Sequence, residues 1–90
     1  MADQPRIALV TGASRGIGRA IAQQLAQDGL VVVGTATSDA GAAAVDAWLA
    51  PTGGAGMTLD VTDSDNVAAV LAAINERFGA PTVLVNNAGI

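Results

Sequence analysis

The sequence predicts an α/β fold built on a parallel, doubly wound sheet, with the elements alternating as β-α-β-α-β-α-β. Three observations carry this. Short, nearly continuous apolar runs stand at residues 7–10, 30–34 and 82–86, as in strands covered on both faces rather than one. Between them lie segments whose apolar residues recur every three or four positions, the period of a helix. A glycine-containing turn, residues 11–18, joins the first such run directly to the first such segment. Right-handed crossovers and a doubly wound arrangement then give the strand order 3-2-1-4. The first two helices share one face, the third covers the other, and the fourth strand is left as a raw edge.

In chain order, the first strand is Ile7-Ala8-Leu9-Val10. The first helix is expected to start near Ser14 or Arg15 and to run to about Asp28. Ile17, Ile21 and Leu25 form its apolar face, and Gly29 ends it as a left-handed cap. The second strand is Leu30-Val31-Val32-Val33-Gly34, which is β-branched and without charge. Residues 35–39 read as a polar junction in which Thr37 or Ser38 caps the next helix. That helix is expected over Asp39–Leu49, with Ala44, Val45, Trp48 and Leu49 on its buried side. Residues 51–56 are a loop on composition. A weaker third strand follows over residues 57–61. Thr62, Asp63, Ser64 and Asp65 cap a third helix, where acid complements the helix dipole. Val67, Val70, Leu71, Ile74 and Phe78 then keep helical spacing until Gly79 and Pro81 stop it. The only Trp and the only Phe, Trp48 and Phe78, are read as packing residues. The fourth strand covers residues 82–86.

The glycine turn has the spacing G-x-x-x-G-x-G, with glycines at 12, 16 and 18. Between a strand and a helix, such glycines allow a tight turn, let an anion approach the backbone, and let the helix pack close to the sheet. The N–H groups there and the positive end of the helix dipole favour a phosphate group. The turn therefore reads as a Rossmann-type dinucleotide-binding loop.

Ninety residues accommodate a single small domain, and at 51% hydrophobic residues it has material for a core. A net charge of −4, with four arginines that form no run, excludes a basic nucleic-acid-binding surface. Without cysteine there is neither disulfide nor thiolate chemistry, which suits a reducing, cytoplasmic setting. Residues 1–5, Met-Ala-Asp-Gln-Pro, lack the apolar stretch of a secretory leader. No apolar run reaches the roughly 20 residues of a membrane span. Zinc is not expected, since no His or Cys cluster exists. Tyr and His are absent, and all four basic residues are Arg, so there is no Lys. Of the side chains that usually carry acid–base chemistry at neutral pH, only carboxylates remain.

Residues 11–18, Thr-Gly-Ala-Ser-Arg-Gly-Ile-Gly, and residues 86–89, Asn-Asn-Ala-Gly, resemble the paired signatures of the short-chain dehydrogenase/reductase family. Residues 7–12, 34–38 and 85–90 further resemble the bacterial 3-oxoacyl-[acyl-carrier-protein] reductases of that family. The resemblance covers the whole chain and implies NADP(H) as cofactor. It also implies an acyl-carrier-protein-bound substrate and, for the full-length protein, a homotetramer. Residues 1–90 are then the NADP-binding N-terminal half of a single Rossmann domain whose C-terminal half is absent.

On that reading the cofactor-binding residues are Gly12, Ala13, Ser14, Arg15, Gly16, Ile17, Gly18, Thr37, Asp60, Val61, Asn87, Ala88 and Gly89. An NAD site usually places an acid at the end of the second strand, to accept from the ribose 2′-hydroxyl. Here that region reads Gly34-Thr35-Ala36-Thr37, without one. A 2′-phosphate meets no repulsion there, and Arg15 is placed to pair with it. The resemblance gives the Thr37 hydroxyl the same ligand. It assigns Asp60 to the adenine amino group, Val61 to a backbone contact and Asn87 to the adenosine ribose. Ala88 and Gly89 leave room for the cofactor, while Asn86 ties the sheet together.

The family reduces ketones by hydride transfer with a Tyr-x-x-x-Lys pair, a Ser and a further Asn. With neither Tyr nor Lys here, no catalytic residue is assigned. Two other readings stay open at this point. One is a non-catalytic nucleotide-binding or interaction module. The other is part of another short-chain reductase, acting on acetoacetyl-CoA or on a sugar.

Overall fold

The computed structural model describes residues 6–14 and 16–86. In chain order they form β1 (Ile7–Val10), α1 (Gly16–Gln27), β2 (Val31–Ala36), α2 (Asp39–Leu49), β3 (Ala55–Thr58), α3 (Ser64–Arg77) and β4 (Val83–Val85), with a single 3₁₀ turn at Ala50–Thr52. The four strands make one sheet in the order β3-β2-β1-β4, every pair parallel. This is the expected Rossmann-type α/β arrangement.

β1 is the centre of the sheet because it tolerates no solvent: none of its four residues is more than 7% exposed. Its side chains alternate between two cores. Ala8 and Val10 join Val32 of β2, Ala22 of α1, and Val45 and Leu49 of α2. Ile7 and Leu9 join Val33, Leu59, and Val70 and Ile74 of α3. Two helices therefore cover one face and a single helix the other, as expected. Leu84, on the outermost strand, is 67% exposed. It pairs with Leu9 on the face that α3 covers, and Val83 and Val85 pack toward the first core.

The helix ends follow from named residues. Gly29 has φ +93°, the left-handed conformation that ends α1. Its N–H donates to the Ala26 carbonyl at 3.1 Å, and the Leu30 N–H donates to that of Leu25 at 3.1 Å, a Schellman arrangement. Ser38, not Thr37, caps α2, its hydroxyl accepting from the Gly41 N–H at 3.0 Å. Asp63 caps α3, accepting from the N–H groups of Asp65 and Asn66.

Some boundaries differ from the sequence expectation. α1 begins at Gly16 rather than at Ser14 or Arg15, and β4 is confined to Val83–Val85. β2 runs two residues beyond Gly34. Thr35, expected in a polar junction, is a strand residue only 1% exposed. β3 starts at Ala55 and ends at Thr58, instead of covering residues 57–61. Two of the glycines that suggested a loop before it, Gly54 and Gly56, answer a different need. A Cβ on Gly54 would run into the backbone of Val32, and one on Gly56 into the α2 backbone at Ala42 and Asp46. Here glycine marks close approach of backbones, not a turn. On α2 the buried stripe is Ala42, Val45 and Leu49, while Ala44 faces solvent. Trp48 and Phe78 sit partly buried against the first and second cores respectively, and Leu71 is 42% exposed.

The contact between α2 and β3 gives a measurable consequence. Gly56→Ala is expected to cost about 3 kcal/mol of stability, the upper end for overpacking, because the obstacle is backbone that cannot rotate away. Gly53→Ala, with open space around its Cβ position but φ +91°, is expected to cost about 1 kcal/mol. Urea unfolding of the two variants checks the order.

Candidate functional site at the carboxyl edge of the sheet

All the described site residues sit at or just beyond the carboxyl ends of the strands, where open α/β sheets bind ligands. The glycine turn leaves β1 between two neighbours and is fastened to both. The Thr11 N–H donates to the Val85 carbonyl of β4 at 3.0 Å, and the Ala13 N–H donates to the Thr35 carbonyl of β2 at 2.7 Å. The Thr11 hydroxyl donates to Asn86 Oδ1 at 3.3 Å, so Asn86, expected to tie the sheet together, is bonded to the start of the loop. Gly12 and Gly16 turn the chain with φ +65° and +66°, a region other residues enter only with strain.

The expected residues separate into two groups. Ala13 is fully buried and Gly18 is buried; neither presents a side chain at the surface. Ala13 instead fills the space above Gly34, where an added Cβ would also meet Val45 and Leu49. Gly16 and Ile17 open α1, and with Gly18 their N–H groups belong to the first helical turn, which has no internal acceptors. Ile17 is 72% exposed, although its fourfold spacing with Ile21 and Leu25 had placed it on the apolar face. Thr37 is exposed beyond the end of β2 and is released from capping because Ser38 takes that role. Ser14 lies partly buried near the start of α2, where a side chain at Gly41 would touch its Cβ. Arg15, Asn87, Ala88 and Gly89 lie outside the described residues.

Asp60 and Val61 follow β3, both exposed. The Asp60 carboxylate accepts from the Thr62 hydroxyl at 2.6 Å and from the Thr62 N–H at 2.9 Å. These bonds, the hydroxyl first, hold its pKa below the ordinary value of 3.8, outweighing the small opposing effect of desolvation. The Asp60 N–H meanwhile donates to Asn66 Oδ1 at 2.6 Å. The segment is thus held from both ends and presents an ionised acceptor. Sequence reasoning had placed Thr62 only in a helix cap and had given Asn66 no role. Asp-x-Thr spacing just past a strand end is the signal that identifies such a brace.

Val61 is 49% exposed. Two of the four large, exposed apolar side chains among the described residues, Ile17 and Val61, therefore stand at this edge. Together with the glycine turn and the acid-free end of β2, they give this edge exposed apolar side chains beside backbone N–H groups. A hollow of about 340 Å³ among the described residues lies elsewhere. It is lined by Gln23, Ala26, Gln27, Trp48 and Thr52 near the far ends of α1 and α2, and contains none of the expected site residues. No group of carboxylates among the described residues could hold a metal ion. No described helix is long and apolar enough to cross a membrane.

Comparison with known proteins decides the lineage. The short-chain dehydrogenase model matches residues 6–90. The chain belongs to the short-chain dehydrogenase family. Its members generally use NAD(P)H. The chain is 56% identical over 85 residues to the 3-oxoacyl-[acyl-carrier-protein] reductase FabG of Vibrio harveyi, covering 94% of this chain and 34% of the relative. Over 92 residues it is 52% identical to FabG of Pseudomonas aeruginosa, covering 100% of this chain and 37% of the relative. With FabG of Escherichia coli K12 it shares 55% identity over 85 residues, 94% of this chain and 34% of the relative. It thus spans about a third of the length of the curated relatives it matches.

The brace at Asp60 can be tested directly. In Thr62→Val the hydroxyl donor is lost and the Asp60 pKa is expected to rise toward the ordinary value. The group then loses its charge at higher pH than in the parent as acid is added. Carboxyl ¹³C titration of Asp60 reads this shift.

Proposed function

We propose that residues 1–90 form the NADP(H)-binding N-terminal half of a single Rossmann-type domain. The protein to which they belong reduces 3-oxoacyl-[acyl-carrier-protein] to 3-hydroxyacyl-[acyl-carrier-protein] in fatty acid biosynthesis. The observation that carries this reading is the carboxyl edge itself. There a glycine turn fastened to both neighbouring strands faces a β2 end without a carboxylate at residues 34–37. The high identity to three FabG proteins supports the substrate class.

On this reading the residues act by binding and orientation. The N–H groups of Gly16, Ile17 and Gly18 face the pyrophosphate with the positive end of the α1 dipole behind them. Arg15 and the Thr37 hydroxyl take the 2′-phosphate. Asp60 accepts from the adenine amino group and Val61 adds a backbone contact. Asn87 meets the adenosine ribose, and Ala88 and Gly89 leave room for the cofactor beside the backbone. Gly12, Ala13 and Ser14 set the path of the loop, Ala13 as a buried plug rather than a ligand contact. The bound cofactor supplies a hydride to the ketone carbon. The proton donor and its supporting cation are contributed by residues outside this stretch, which has no Tyr or Lys. A cytoplasmic homotetramer completes the proposal.

Calorimetric titration with NADPH, NADH and 2′-phospho-AMP tests the assignment. NADPH is expected to bind at least about tenfold more tightly than NADH, the scale of one charge-assisted contact of about 1.5 kcal/mol. Arg15→Ala is expected to weaken NADPH binding more than NADH binding; equal losses would remove the 2′-phosphate assignment. For the 90 residues alone, NADPH and 2′-phospho-AMP are expected to bind about equally, because the groups that grip nicotinamide are not in this stretch. Consumption of NADPH by the complete gene product with a 3-oxoacyl-[acyl-carrier-protein], but not with a sugar ketone, checks the substrate class.

A further inference from the structure

The acid-free end of β2 is followed within two residues by an acid. Asp39 opens the first turn of α2, next to Thr37 and Ser38. That turn adjoins the glycine loop, as the proximity of Gly41 to Ser14 shows. A carboxylate swung toward the loop would oppose a 2′-phosphate held by Arg15 and Thr37. In the structure it is turned the other way. The Thr58 hydroxyl, at the end of β3, donates to Asp39 Oδ1 at 2.7 Å. The sheet order makes the direction unambiguous: β3 lies on one side of β2, and β1 with its glycine loop lies on the other. Thr58 stands opposite Ala36 in the ladder, so its hydroxyl reaches Asp39 across the end of the sheet on the side remote from the loop.

We infer that Thr58 is a positioning residue for cofactor choice: by holding the Asp39 carboxylate toward β3, it keeps negative charge away from the 2′-phosphate site and so maintains preference for NADP(H) over NAD(H). The inference rests on the NADP(H) reading above. It assigns a task to a strand residue outside the proposed set of cofactor contacts. A second carboxylate on α2 does related structural work two turns later, where Asp46 Oδ1 accepts from the Gly56 N–H at 2.9 Å. Holding α2 against β3 therefore does not depend on Thr58 alone, and losing its hydroxyl frees Asp39 without releasing the helix.

The expected effect is modest, because the bond is exposed to solvent and exposed charges interact through water. In the complete gene product, Thr58→Val is expected to reduce the ratio of NADPH to NADH affinity by about two- to fivefold at low ionic strength, and less at high salt. Thr58→Ser, which keeps the hydroxyl, is expected to retain the parent ratio. Thr58→Val combined with Asp39→Asn, which removes the charge, is expected to restore it. A structural defect would lower both affinities together and would not be repaired by Asp39→Asn. An unchanged ratio in Thr58→Val, or a reduced ratio that Asp39→Asn fails to restore, would overturn the inference and leave the NADP(H) reading standing. A parent protein without preference for NADPH would overturn both.

Discussion

The structure depends on how the chain leaves β1. Its next residues form hydrogen bonds on both flanks, to Val85 of β4 through Thr11 and to Thr35 of β2 through Ala13. A turn fastened on both sides cannot drift, so the first turn of α1 is aimed at a fixed point above the sheet. The fastening needs two things. β1 must sit between its partners, which the 3-2-1-4 order supplies. Backbone must also pass close to backbone, which Gly34 permits by leaving its Cβ position to Ala13. The site is therefore a consequence of sheet topology before it is a property of any side chain.

A consistent division of labour follows. Residues of the loop that point inward, Ala13 above all, fix its shape. Those that point outward, Ile17 among them, are left exposed at a cost in apolar surface that a ligand would recover. Asp60 and Thr62 show the same economy after β3, where a short side-chain brace keeps an acceptor ionised without burying it.

Much of this could be read from the residues. Topology, the facing of all three helices and the Gly29 cap followed from periodicity and from glycine placement. The Asp39–Leu49 bounds of α2 were matched in full. What periodicity misses is context. Residues 54–56 have the composition of a loop, yet two of their glycines exist because α2 and β2 press against β3, and no local pattern distinguishes those demands. Thr35 looks like a turn residue because its hydroxyl is polar, but in the strand its carbonyl serves the glycine loop. Ile17 keeps helical spacing with Ile21 and Leu25, yet it stands at the helix start, beyond the reach of the sheet beneath. At the site, residue types announced the glycine turn and the absence of acid on β2. The tethers of Asp39 and Asp60 are contacts whose geometry only the fold supplies.

The bond from Gly56 to Asp46 has a wider consequence. It occupies an outward-facing donor of β3 with a carboxylate from a helix lying alongside, which blunts that border of the sheet against strand addition. At the opposite border β4 carries Leu84 in the open and has no flanking helix of its own among the described residues. The two borders of the sheet thus differ: that of β3 has one donor capped by a helix carboxylate, and that of β4 has an apolar side chain in the open. The more open border is the one that runs beside the glycine turn, because β4 pairs with β1 and its Val85 carbonyl accepts from Thr11.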